Sequence, residues 1–138
     1  MFKKILIANN GSEGAFKALV EALRLAHSHG SEAHMIYVEE NIPSDSQEAR
    51  DGKKTLDRKF AKLVAKAEAE AKHHSVKLTS HMLLGRPAQA IADFLRSQGE
   101  FDLLVVGFKG HSALYHRILG KTADRLVELA PCAVLVVK

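Results

Sequence analysis

One α/β domain spanning residues 1–138, built on a doubly wound five-stranded parallel sheet of order 3-2-1-4-5 with helices on both faces, is the fold this chain predicts. Two observations carry it. Short apolar runs rich in β-formers alternate with longer segments of helical period, in the order β-α-β-α-β-α-β-α-β. Runs such as Ile5–Ala8 and Leu103–Val106 are continuously apolar, as expected of strands covered on both faces. No composition shift or internal repeat marks a second domain.

Strand 1 is Lys4–Ala8, followed by a turn at Asn9, Asn10 and Gly11. Ser12 is placed to cap helix 1, whose apolar face is Phe16, Leu19, Val20, Leu23 and Ala26, and Gly30 ends it. Strand 2 is Ala33–Val38. A polar connection, Glu39–Asp51, leads to helix 2, which runs to about His74 on the stripe Leu56, Phe60, Leu63, Val64, Ala67 and Ala71. Strand 3 is Val76–Leu84. Gly85-Arg86-Pro87 turns the chain into helix 3, with Pro87 suited to its first position and Gly99 near its end. Strand 4 runs to Val106. A glycine-spaced loop, helix 4 over Ala123–Ala130, Pro131 and strand 5, Ala133–Val137, complete the order.

Composition excludes several classes. There is no apolar run of the ~20 residues that a membrane helix needs, and no signal-peptide core, so a cytoplasmic protein without a membrane partner is expected. A single cysteine, Cys132, cannot form an internal disulfide and reads as a buried structural thiol. Twenty basic against 16 acidic residues give a net charge of +4, but the positive residues are mixed with acids and no tryptophan is present to stack bases. DNA is therefore not the expected partner; a small anion is. The eight histidines show no zinc-ligand spacing, and they read as surface residues, with His111 and His116 flanking the glycine loop. Ser112 lacks the base and orienting group of a hydrolase triad.

The functional stretch is the loop after strand 4: Gly107-Phe108-Lys109-Gly110, nine further residues, then Gly120-Lys121-Thr122. Glycines allow positive φ and close approach of backbone to a ligand. The start of the next helix favours an anion. In a 3-2-1-4-5 sheet the loops after strands 1 and 4 flank the crevice where ligands bind. A Walker A loop is excluded, because Tyr115 stands where its first glycine belongs. The dinucleotide GxGxxG is also absent after strand 1.

Four landmarks in order cover essentially the whole chain: Ile5-Leu-Ile-Ala-Asn-Asn-Gly-Ser12, Gly85-Arg-Pro87, the G-x2-G-x9-G spacing of Gly107, Gly110 and Gly120, and Ala130-Pro-Cys-Ala-Val-Leu-Val-Val137. Together they resemble the universal stress protein family. The resemblance implies five parallel strands and a homodimer, often joined through the last strand, here Val134–Val137. One branch of that family binds ATP through this loop. Carried over by position, Ala8 and Asn10 would lie at the end of strand 1 and Val38 near the adenine. Val106 and Gly107 would follow the nucleoside, Gly110 and Gly120 would sit beside the phosphates, and Lys121 and Thr122 would be on the same turn. Asn10 stands where the ATP-binding branch usually has Asp, Lys121 where it has Ser or Thr, and Lys109 where His is common.

These departures remove a negative charge and add positive ones at Lys109 and Lys121, with Arg86 and Arg117 near the same sheet end. The expected function is a homodimeric ATP- or AMP-binding stress-response or signalling module, with Mg as counter-ion and little or no hydrolysis. A slow ATPase and an interaction protein that binds no nucleotide are the alternatives.

Overall fold

The computed structural model describes residues 2–40, 46–109 and 119–138. Along it run β1 (Lys4–Ala8), α1 (Glu13–His29), β2 (Glu32–Glu39), α2 (Ser46–His73) and β3 (Leu78–Leu84). They are followed by α3 (Pro87–Gln98), β4 (Leu103–Gly107), α4 (Lys121–Leu129) and β5 (Ala133–Val137). The strands form one sheet in the order β3-β2-β1-β4-β5, and every pairing is parallel.

Successive strand residues point to opposite faces. Ile5 and Ile7 of β1, Met35 of β2 and Val105 of β4 therefore meet Leu19 and Leu23 of α1 in one core. Leu6, Ile36, Leu104 and Val106 meet Ile91 and Leu95 of α3 and Leu126 of α4 in the other. The central strands are buried on both faces, which is why their sequences are continuously apolar. Reducing a fully buried Leu6, Leu104 or Leu126 to Ala would cost about 2–5 kcal/mol.

The helix ends follow local chemistry. Ser12 Oγ accepts the Ala15 N–H and caps α1, and Gly30 ends that helix in the left-handed region. The end of α2 is closed differently: Ser75 takes φ 59 and the Val76 N–H donates to the Ala71 carbonyl. Val76 is thereby used by the helix terminus, and β3 starts at Leu78 instead of Val76. The Glu39–Asp51 segment, expected as a connection, contains the first turn of α2, which begins at Ser46. The helix extends N-terminal to its expected start because a hydrophobic stripe marks only the packed part of a helix.

Two histidines overturn the expectation of surface positions. His34 of β2 is buried, and His81 of β3 is half-buried beside it. Both point to the α3 face, where Phe94 and Phe101 surround them. Cys132 is half-buried, and burial pushes its thiol up, with the Asp102 charge adding to the effect. It is held as a thiol. Among the described residues no helix is long and apolar enough to cross a membrane, and no group of three or more His, Cys, Asp or Glu residues could hold a metal ion.

Candidate functional site

A cleft of about 610 Å³ opens at the carboxyl ends of β1, β2 and β4, on the face covered by α3 and α4. Strand order reverses between β1 and β4, so their loops diverge and leave a crevice there. The volume lies within the range of small-molecule sites.

The β1 side is held by two consecutive asparagines. Asn9 is buried; its N–H donates to the Ile36 carbonyl, its Nδ2 donates to Met35 Sδ at 3.2 Å, and its Oδ1 accepts the Gly11 N–H. Asn10 Oδ1 accepts the Ser12 N–H at 3.0 Å. The turn is thus fixed by side chain-to-backbone bonds before α1 begins.

The β4 side is held by backbone. The Phe108 N–H donates to the Val137 carbonyl at 2.7 Å, and the Phe108 carbonyl accepts the Gly120 N–H at 2.8 Å. The second bond ties the end of the glycine loop to its beginning. Gly107 lacks a side chain for a local reason: a Cβ there would lie 2.7 Å from the Gly14 carbonyl carbon and oxygen. The missing atom makes room for α1. Positive φ, the property expected of these glycines, is found at neither Gly107 nor Gly120; Gly120 has φ −59.

Two helices begin at the cleft without a side-chain cap. Gly120 is the N-cap of α4 and Arg86 that of α3, and neither makes a capping hydrogen bond from its side chain. The first N–H groups of a helix have no intrahelical partner and carry the positive end of its dipole. Lys121, Thr122 and Ala123 of α4 and Pro87 of α3 line the cleft. Lys109 adds a second ammonium, and no acidic side chain lines the cleft among the described residues. The lining also carries apolar side chains, Ile36, Val38, Ile91, Val106 and Leu126. The arrangement offers a flat apolar group one surface and an anion another.

Of the residues singled out from the sequence, Ala8, Asn10, Val38, Val106 and Gly107 are brought together here, with Lys109, Gly120, Lys121 and Thr122. Gly110, His111, Ser112, His116 and Arg117 lie outside the described residues. Arg86 caps α3 but does not line the cleft. Sequence reasoning missed Asn9, Ser12, Pro87, Ile91, Leu119 and Leu126 as lining residues. Pro87 and Ile91 were legible only as helix residues, since nothing in a helical stripe says which end overhangs a crevice.

The model of the universal stress protein family matches residues 1–138. The chain belongs to the universal stress protein family. A universal stress protein of Thermus aquaticus is 32% identical over 139 residues, covering all of both chains. One from Methanocaldococcus jannaschii is 31% identical over 142 residues, covering all of this chain and 83% of its own. Among solved structures, a protein whose biochemical function was assigned from its structure superposes with a TM-score of 0.87 at 24% identity, over 100% of this chain and 96% of that one. A universal stress protein family protein of Arabidopsis thaliana, solved with AMP bound, superposes with a TM-score of 0.74 at 19% identity, over 99% of this chain and 91% of its own. At these identities the superpositions establish a common fold for this universal stress protein.

Proposed function

We propose that this universal stress protein binds an adenine nucleotide, ATP or AMP, in the cleft at the carboxyl ends of β1, β2 and β4. One observation carries the reading: apolar side chains and a cationic helix start without a side-chain cap line one and the same cleft, of nucleotide size. The base lies against Val38, Ile91 and Val106, and the phosphates lie toward Lys109, Gly120, Lys121 and Thr122. Mg accompanies the phosphates as a counter-ion. The AMP-bound Arabidopsis protein shares the fold, which supports this choice of ligand class.

The role is that of a binding module for stress response or signalling, working in the cytoplasm as a homodimer. The sequence offers no spaced base and orienting group at this loop, and binding is favoured over turnover. The direct test is to denature the purified protein and identify released small molecules by mass spectrometry, then titrate the emptied protein with ATP and AMP. Bound or titratable adenine nucleotide is the expected result. No release and no uptake would leave the family's other role, interaction without nucleotide; ADP accumulating with time would indicate a slow ATPase.

A further inference from the structure

On the same face of the sheet as the cleft, toward the start of β2, sits a pair of imidazoles that the ligand reading does not use. His34 Nδ1 and His81 Nε2 are 2.8 Å apart. Their ring planes differ by 4° and their centroids are 5.1 Å apart, so the nitrogens meet edge to edge. A contact of this length holds one hydrogen, donated by one ring and accepted by the other.

The surroundings fix where the other protons go. His34 Nε2 is buried and lies 3.3 Å from Glu32 Oε2, within ion-pair range but without the alignment of a hydrogen bond. A lone pair facing that carboxylate would be repelled, so His34 carries its proton on Nε2. In the neutral pair His81 Nε2–H therefore donates to His34 Nδ1. The remaining charged neighbours are few. Lys4 of β1 lies over the Phe101 ring and pairs with Glu100 at 3.0 Å and Glu32 at 3.6 Å. Asp102 is occupied by the Lys3 and Lys4 N–H groups. From α3 the neighbour is Phe94, whose ring is 5.0 Å from that of His81, while Asp93 and Arg96 pair with each other. From the turn before β4 it is Phe101, edge-on to His34 at 5.1 Å.

A first proton can bind His81 Nδ1 and leave the bridge intact. A second would put hydrogens on both facing nitrogens, which 2.8 Å cannot hold. We propose that the His34–His81 pair is a proton-operated clasp: a second proton breaks the bridge, releases edge strand β3 from α3, and loosens the wall of the cleft. His34 sits on an interior strand between Phe101 and Glu32, so His81, on the edge, is the ring that moves. The route to the cleft is short. Phe94 packs on His81 three residues after Ile91, which lines the cleft with Pro87 on the same helix. β2 carries His34 and then Ile36 and Val38 of the apolar lining. Burial lowers the proton affinity of His81, and the charges of His34 and Lys4 add to it. Regulation of ligand binding by this clasp rests on the proposed nucleotide site; the clasp itself does not.

The test is a histidine-imidazole NMR titration of the unmodified protein, from mildly alkaline to mildly acid pH, with amide exchange measured in parallel. Two coupled steps are expected for the pair. Exchange in β3 and α3, corrected for its intrinsic pH dependence, should rise on the order of tenfold through the second step. Independent titration of the two rings, or unchanged protection through the second step, would overturn the proposal. His81→Gln keeps a donor toward His34 Nδ1 at every pH and should flatten the exchange response; an unaltered response would also overturn it. With AMP as probe, affinity should fall on acidification more steeply for the unmodified protein than for H81Q, which controls for titration of the AMP phosphate. Equal falls would overturn the regulatory part. Failure of both AMP and ATP to bind at neutral pH overturns the nucleotide reading alone, and the imidazole titration still decides the clasp.

Discussion

The carbonyl oxygen of Lys109 packs so closely on Gly14 that a Cβ at position 14 would lie 2.1 Å from it. The first turn of α1 and the start of the glycine loop are thus in backbone contact. Two segments far apart in sequence are thereby held together beside the cleft. Gly14→Ala should force the loop away from α1, destabilising the protein by about 1–3 kcal/mol. It should weaken nucleotide binding beyond what the stability loss explains. Denaturant unfolding and ligand titration of the variant, compared with Gly30→Ala, separate the two effects; Gly30 has positive φ but open space around it, so it reports backbone strain without crowding.

The cationic end of the cleft gives a second expectation. Lys109 and Lys121 face it without an acidic neighbour in the lining. Nucleotide affinity should therefore fall as salt is raised. Each Lys→Ala change should weaken binding roughly two- to fivefold, the modest figure expected of a solvent-screened charge, and should reduce the salt dependence. Titrations at low and high ionic strength check this, and salt-independent binding would sink it.

Asp102 joins the starts of β1 and β4. Its two carboxylate oxygens accept the Lys3 N–H at 2.8 Å and the Lys4 N–H at 3.0 Å. Burial raises its pKa, but the backbone N–H donors of Lys3, Lys4 and Asp102 itself outweigh burial and hold the carboxyl below its ordinary value. A depressed carboxylate stabilises the fold above its unfolded pKa, and that contribution is lost as pH falls through the folded value. Asp102→Ala should cost about 1 kcal/mol near neutral pH, and the difference from the unmodified protein should shrink on acidification below the ordinary carboxylate range. Urea unfolding of both proteins at neutral and acid pH measures it.

β5 ends the sheet order and, among the described residues, pairs only with β4. Its outer edge offers unpaired backbone groups, and Leu135 is 37% exposed on it. Pairing of Val134–Val137 with a second copy would cover both. Leu135→Lys should shift sedimentation from dimer to monomer while leaving the helical circular dichroism unchanged. A monomeric unmodified protein at micromolar concentration would remove this interface from consideration.

The sequence by itself determined the element order, the parallel sheet and the two-sided core. Those follow from local chemistry and from the period of apolar residues: Ile5 and Ile7 alternate with Leu6 whatever the chain does elsewhere. It also marked both loops of the cleft, because Asn10 and Gly107 sit at the ends of β1 and β4, which a 3-2-1-4-5 sheet must bring together. Only the tertiary structure decided why Gly107 has no side chain, since the crowding atoms belong to Gly14, 93 positions earlier. Only the tertiary structure removed His34 and His81 from the surface and joined them, although 47 residues separate them in the chain. Period and propensity describe a residue's own element. Contacts across a parallel sheet depend on register and on which helix covers each face, and these are settled when the whole core packs.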